Sequence, residues 1–173
     1  MPTIEHLVLC GGVDGRQRAH SKRLRLNLHG PYENVHLKIS DISERLVANI
    51  PDIMIDLLEV ASYIYAADSA IPRGGPTDEQ LGKRWRRKLR FVIPVRQQNI
   101  WSSDSVLAAL VETLNFLSDD EYEFEFRLLN NPPALKSYFE FPDTQATGFR
   151  PDEVMLFSGG LDSLAGAIEL LTD

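Results

Sequence analysis

The chain has 173 residues, enough for one domain of ordinary size. Its 43% hydrophobic and 25% charged residues are typical of a protein that folds around a core, and its net charge of −7 argues against a general affinity for nucleic acid or anionic membranes. The one cysteine, Cys10, excludes an internal disulfide and a multi-cysteine zinc site. We see neither a secretory signal nor a membrane span, and therefore expect a soluble, cytoplasmic protein.

Residues 4–10 and 23–28 open the chain as two predicted strands. The second alternates Leu24, Leu26 and Leu28 with polar residues, a pattern typical of a half-buried strand. The glycines at 11, 12 and 15 predict a turn between the two strands, so we expect them to pair as a hairpin. Residues 35–39 are predicted as a third strand.

A core helix is predicted over residues 51–70, because Pro51 suits a first helical turn and apolar residues recur at helical spacing. We expect Asp56, Glu59 and Tyr63 to lie on the opposite, solvent side. The expected core-facing residues are Ile53, Leu57, Val60, Ala61 and Ile64, with Met54, Leu58 and Tyr65 widening that face.

Three further elements complete the region before residue 142. Residues 89–95 alternate as a strand, and Pro94 places the end of this strand at an edge or a bulge. Residues 121–128 alternate as another strand. Between them, residues 103–118 predict a helix that begins at a serine pair. The sequence therefore predicts an α+β N-terminal domain, residues 1–141, of mixed strands and two core helices. The proline-bounded stretch 142–152 is predicted as a linker.

The strongest chemical pattern follows the linker, in residues 153–173. A buried-type strand at 153–157 leads into a glycine turn, and apolar residues at helical spacing follow at 164–171. Glycines let the backbone approach a ligand, and amides at a helix start attract negative charge. The turn residues, which we take as the candidate binding site, are Ser158, Gly159, Gly160, Leu161, Asp162 and Ser163.

This turn resembles the SGGxDS signature of the PP-loop ATP pyrophosphatase superfamily, residue for residue. The resemblance implies that 153–173 begin a doubly wound, α/β nucleotide-binding domain. It also implies that the loop grips the pyrophosphate of ATP while a substrate oxygen attacks the α-phosphate. Asp162 is repulsive toward polyphosphate by itself, and acts either at the helix terminus or through Mg²⁺. The sequence leaves these two roles open.

Within the superfamily, the long region before the loop resembles the QueC-like branch. The run 57–68 and Trp85-Arg86-Arg87 resemble the QatC family, the QueC-like component of Qat anti-phage systems. QueC enzymes are 7-cyano-7-deazaguanine synthases of queuosine biosynthesis. The resemblance implies a ligase or synthase that uses ATP to activate a carboxylate-type substrate, with other proteins of a defence operon as partners.

The resemblance leaves several questions open. The zinc-binding cysteines of QueC enzymes lie far beyond the loop and have no counterpart here, so we expect this chain to be an inactive N-terminal fragment. The resemblance identifies no catalytic residue, acyl substrate or nitrogen donor. The alternative is a non-catalytic interaction module of a defence complex that carries a vestigial ATP loop.

A basic run at residues 83–90 places six cations among eight residues. It is either a phosphate or nucleic-acid patch with Trp85 for stacking, or a solvated face paired with Glu121, Glu123 and Glu125. We favour the solvated face, for which neutralising Arg86 and Arg87 should change stability by about 0.5 kcal/mol or less. No metal site is predicted, because the histidines at 6, 20, 29 and 36 lack ligand spacing.

Overall fold

The computed structural model describes residues 4–39, 50–73 and 86–133, together with positions 160, 164, 165 and 168. The strands in these ranges are β1 (Glu5–Cys10), β2 (Ser21–Leu26), β3 (Lys88–Val95) and β4 (Glu121–Leu128). The helices are α1 (Asp52–Ala70), α2 (Gln98–Trp101) and α3 (Asp104–Ser118). The α/β class is confirmed. The predicted linker 142–152 and the predicted strand 153–157 lie outside the described residues.

The four strands form one parallel sheet in the order β2-β1-β3-β4. Val8 of β1 pairs with Leu24 on one side and with Phe91 on the other. The predicted hairpin of β1 and β2 is therefore wrong, and so is the expectation of mixed strand directions in the described ranges. Residues 11–20 do not turn back antiparallel but cross a face of the sheet, where Val13 packs against a small apolar cluster.

The sheet is covered differently on its two faces. Helices α1 and α3 pack on the face that carries Val8, Phe91 and Phe126, where the main core lies. The 11–20 connection covers Leu7, Leu9 and Val92 on the other face. Right-handed crossovers that run in opposite directions along a sheet lie on opposite faces, which accounts for this division. The predicted alternation of β3 is confirmed, since both of its faces are buried.

One local prediction is wrong. Residues 35–38 form no strand, although Val35 belongs to the main core and Ile39 is also buried. Strand β3 lies inside the sheet, but its last residues pair with β4 alone, so the end of the strand is at an edge as Pro94 predicts. Pro94 is tolerated there because the ladder between β1 and β3 ends at the Leu9–Val92 pair, before the proline.

Helix α1 occupies the predicted range but presents a different face to the sheet. It buries Val60 and Tyr63 together with Asp56 and Glu59, whereas Leu57 is 46% exposed. The predicted orientation is correct for Val60 but wrong for the two carboxylates, which were expected in solvent and point inward. They are buried where Arg96, which follows β3, meets them with its positive charge.

Candidate functional site

Only one of the six predicted site residues, Gly160, lies among the described residues. Gly160 is exposed, and its carbonyl oxygen accepts a hydrogen bond of 3.1 Å from the amide of Leu164. This i+4 to i bond is the α-helical pattern, and positions 164, 165 and 168 are helical as predicted. Gly160 therefore lies one hydrogen-bonded helical turn before Leu164. The other candidates, Ser158, Gly159, Leu161, Asp162 and Ser163, lie outside the described residues.

The carboxyl edge of the parallel sheet is a second candidate position for a ligand-binding site. In open α/β sheets, ligands bind outside the carboxyl ends of the strands, where successive connections run in opposite directions. Here the chain moves outward from β1 to β2 and then back across to β3, so that point lies between β1 and β3. The turn at Gly11 and the side chain of Arg96 stand at this edge.

Three side chains form a buried ionic group here, the carboxyl-edge cluster of Asp56, Glu59 and Arg96. The Asp56 carboxylate accepts the amides of Arg96 and Gln97 at 2.9–3.0 Å and a guanidinium nitrogen of Arg96 at 3.0 Å. Glu59 accepts the same guanidinium at 2.9 and 3.1 Å. Nε2 of His29 lies 3.1 Å from Glu59.

These contacts make the carboxyl-edge cluster structural. Every carboxylate oxygen of Asp56 and Glu59 accepts at least one hydrogen bond from Arg96 or its neighbour. Burial alone would lower the pKa of Arg96, but its bonds to Glu59 and Asp56 outweigh burial and raise that pKa. The guanidinium of Arg96 therefore stays charged and hydrogen-bonded, and none of the three side chains is free to act as an acid or a base.

Cys10 and Gly11 at the same edge also have structural roles. Burial raises the pKa of the Cys10 thiol well above its usual value, so the thiol is protonated and is a poor nucleophile. Gly11 has φ +58°, and a Cβ there would lie 2.7 Å from Cγ of Pro94. The glycine turn after β1 is thus demanded by packing against β3.

The described cations of the basic run pair with carboxylates. Lys88 lies 3.1 Å from Glu121, and Nε of Arg90 lies 3.7 Å from Glu5. Arg86 pairs with Asp119. Of the three predicted acidic partners, Glu121 pairs with a described cation of this run, whereas Glu123 pairs with Arg18 and Glu125 with Arg127. Lys83, Arg84 and Trp85 lie outside the described residues.

Arg87 is not part of a solvated face. It belongs to the amino-edge cluster of Arg87, Asp120, Arg73 and Asp68, at the amino edge of the sheet. In this cluster Arg87 and Asp120 are buried, Arg73 is partly buried and Asp68 is half exposed. The amide and side chain of Arg87 donate to Asp120 at 2.6–3.1 Å, and a further nitrogen donates to the carbonyl of Ile71 at 2.5 Å. Arg73 contacts the same carboxylate at 2.8 Å, and Asp68 closes the group by pairing with Arg87.

The described ranges contain neither a metal-binding group of side chains nor a membrane-spanning helix. No group of three or more His, Cys, Asp or Glu side chains in these ranges is placed to hold a metal ion. The helices described are all too short or too polar to cross a bilayer.

Comparisons of the chain with protein-family models, with curated proteins and with solved structures found no match.

Proposed function

We propose that residues 158–163 bind the pyrophosphate part of ATP, and that the chain belongs to an ATP-dependent, QueC-like PP-loop enzyme of anti-phage defence. The Ser-Gly-Gly-Leu-Asp-Ser sequence supports this proposal together with the hydrogen bond from Leu164 to Gly160. That bond is the observation that carries the proposal, because a loop that ends one helical turn before Leu164 would stand at the start of a helix.

The helix start explains why this position suits polyphosphate. A helix whose first bond runs from residue 164 to residue 160 leaves the preceding amides without intrahelical acceptors. Those amides belong to Leu161, Asp162 and Ser163, and they would donate to phosphate oxygens at the positive end of the helix dipole. The hydroxyl of Ser158 would add a donor at the other end of the turn. Oxygen ligands suit Mg²⁺, so Asp162 also fits a role beside the metal that accompanies ATP.

The proposed reaction is adenylation of a carboxylate. A carboxylate oxygen attacks the α-phosphorus, the bond from that phosphorus to the bridging oxygen breaks, and pyrophosphate leaves with the bonding electrons. The cradle at 158–163 would stabilise the charge that develops on the leaving group, because its donors are fixed before the reaction begins. The acyl substrate and the nitrogen donor are outside this proposal.

A second candidate, the non-catalytic interaction module, is favoured by a different observation. In the described ranges, the charged groups of the carboxyl-edge and amino-edge clusters are hydrogen-bonded to one another, and Cys10 is buried. This part of the chain thus offers packing surfaces rather than reactive groups. Under that alternative, residues 158–163 would have lost their affinity for ATP.

The experiment is ATP turnover and ATP binding by the complete protein with Gly160→Val and Ser158→Ala. The valine should abolish both, because a β-branched side chain fills the space that phosphate needs beside the backbone. The serine variant removes one hydrogen bond to a charged group, so it should weaken binding by roughly 1.5–3 kcal/mol. Unmodified protein that folds cooperatively but does not bind ATP with Mg²⁺ would favour the interaction module.

A titration of the 173-residue chain completes the test. We expect it to bind ATP weakly or not at all, since one strand, loop and helix supply a phosphate cradle but no adenine pocket. Micromolar binding that is lost in Gly160→Val would refute this expectation and still support the loop. Robust binding that Gly160→Val leaves intact would refute the assignment of the loop.

A further inference from the structure

A pocket of about 420 Å³ lies on the face of the sheet opposite α1 and α3, where the 11–20 connection crosses it. It is lined by Arg16, Gln17, Arg18 and Ala19 of the connection and by Arg90 of β3. Arginines thus make up most of the lining, and none of the lining residues is acidic. We call this feature the arginine pocket. Its volume is in the range of small-molecule sites.

Arg90 is a buried cation that the described residues compensate incompletely. Its side chain is 8% exposed, and its Nη2 donates to the carbonyl oxygen of Arg16. Its Nε is buried and donates no hydrogen bond in the described part of the chain. Oε1 of Glu5 lies 3.7 Å from this Nε and is likewise buried without a hydrogen-bond donor. A buried polar group without a partner costs free energy, so an anion that binds beside this guanidinium would stabilise it.

Arg16 brings a second guanidinium to the arginine pocket. Its side chain is exposed and forms no ion pair or hydrogen bond with the residues that the structure describes. Its backbone carbonyl accepts the hydrogen bond from Arg90, so the two arginines meet at one point of the lining. The donors of Arg16 are therefore available to a ligand.

Arg18 is paired, but its two carboxylate partners do not serve it alone. It donates to Glu5 at 2.9 Å and to Glu123 at 2.7 and 2.8 Å. Glu5 is also the carboxylate that faces Arg90. One carboxylate is thus shared between two buried or half-exposed arginines of the pocket.

Charge complementarity indicates the class of ligand. Arg23 of β2 lies beside the pocket and donates to Gln17 at 2.9 Å rather than to a carboxylate. With Arg23, four guanidinium groups share the carboxylates of Glu5 and Glu123, which leaves two positive charges. A phosphate monoester carries a charge of about −1.5 to −2 at pH 7, which balances this excess.

Carboxylates next to the arginine pocket favour a compact anion over a polymer. A smaller pocket shares Arg18 and Arg90 with it and is also lined by Glu5, Glu121 and Glu123. A nucleic-acid strand that extended to this side would meet those carboxylates, and the net charge of −7 also opposes its approach. A single phosphate group in the arginine pocket meets arginines in the lining and no acid.

We propose that the arginine pocket binds the phosphate group of a small phosphorylated molecule. The phosphate oxygens accept hydrogen bonds from Arg16 and Arg90, while Arg18 and Arg23 add positive charge. Guanidinium groups suit this role because their planar forks match phosphate oxygens and stay charged at every physiological pH. The proposal does not depend on ATP binding at residues 158–163.

The test titrates the 173-residue chain with ribose 5-phosphate, inorganic phosphate and ribose, followed by amide NMR spectra. We expect saturable shifts at residues 16–19 and 90 with ribose 5-phosphate and none with ribose. Equal affinity for inorganic phosphate would support the site and identify free phosphate as its ligand. Failure of both phosphate compounds to saturate, or equal shifts with ribose, would overturn the proposal.

Two variants separate binding in the pocket from attraction to a basic surface. Arg16→Gln and Arg25→Gln remove the same charge at exposed positions, but only Arg16 lines the pocket, whereas Arg25 pairs with Asp14. We expect Arg16→Gln to raise Kd for ribose 5-phosphate at least about tenfold and Arg25→Gln to leave Kd within about twofold. Equal effects of the two changes would show binding by charge alone and would overturn the proposal.

Two further measurements exclude other phosphate sites and ligands. Binding of ribose 5-phosphate that Gly160→Val abolishes and Arg16→Gln leaves intact would assign the phosphate to residues 158–163 and overturn the proposal; the reverse pattern supports it. An oligothymidylate that binds at least about tenfold more tightly than ribose 5-phosphate, and is lost in Arg16→Gln, would identify nucleic acid as the ligand instead. Circular dichroism melts check that each variant is folded, and Arg16→Lys, which keeps the charge, should retain part of the affinity.

Discussion

Replacement of Arg87 by Gln should destabilise the protein strongly, in contrast to the sequence-based expectation for this residue. The side chain of Arg87 is 4% exposed and that of Asp120 is fully buried. Breaking a buried ion pair by removing one partner costs about 3–5 kcal/mol, because the remaining charge stays in a medium of low polarity. Asp120 keeps Arg73 and the amide of residue 87, so we expect the lower end, about 3 kcal/mol.

Arg86→Gln is the matched control, with the same chemical change one position earlier. The Arg86 side chain is 58% exposed and that of its partner Asp119 is 65% exposed. Exposed pairs contribute little, so this variant should stay within about 0.5 kcal/mol of the unmodified protein. Urea unfolding followed by circular dichroism gives both free energies of unfolding. For Arg87→Gln we expect Tm to fall by about 6–12 °C in a chain of this size.

A double-mutant cycle tests whether Asp120 is the cause. Asp120→Asn removes the charge that Arg87→Gln leaves with Arg73 as its remaining cation, so the double variant should be less destabilised than the sum of the two single variants, by at least about 1 kcal/mol. Additive effects, or an Arg87→Gln variant as stable as Arg86→Gln, would show that the amino-edge cluster does not hold α1, β3 and β4 together as described.

Two further predictions concern the N-terminal region. A protein that ends at Pro142 should unfold cooperatively, because α1 and α3 have their own sheet to cover; a featureless melt or aggregation would refute the predicted boundary at 141. Native Cys10 should react far more slowly with iodoacetamide at pH 8 than a free thiol, because burial raises its pKa, and it should react fully in urea; a fast native reaction would mean that the strand end opens readily.

The local elements of the fold could be predicted from the sequence, because they depend on short-range periodicity. The alternation in β4 and the helical spacing in α3 gave bounds close to those observed. The direction of strand pairing could not be predicted in the same way. Gly11 and Gly12 adopt positive φ as a tight hairpin turn would require, yet the chain continues across the sheet for eight more residues before β2.

The orientation of α1 shows more clearly what periodicity in the sequence cannot predict. Helix α1 has apolar residues on two sides, so periodicity alone does not decide which of the two faces packs against the sheet. The choice is made by Arg96, some forty residues later, which compensates Asp56 and Glu59 on the inner side. Without that pairing the two carboxylates belong in solvent, as the sequence predicts, because an unpaired buried charge is very costly.

The candidate sites likewise divide into one that a local motif predicts and others that depend on residues distant in the chain. Residues 158–163 were found from a local motif, whose chemistry resides in consecutive backbone amides. The amino-edge cluster and the apolar groove between α1 and α3 depend on residues far apart in the chain, such as Arg87 with Asp120 and Ala61 with Leu114. A stripe of apolar residues predicts burial, and only the packed structure shows that part of the stripe has no partner among the described residues.

The buried ion pairs at the carboxyl edge of the N-terminal sheet bear on where ligands bind. Its strand order provides the crevice that other α/β proteins use, but Arg96 bridges Asp56 and Glu59 across it. A ligand that displaced Arg96 would leave two buried carboxylates without a cation, at a cost of several kcal/mol for each. Few ligands could offset that cost, so we expect binding at the loop of 158–163 rather than at this edge.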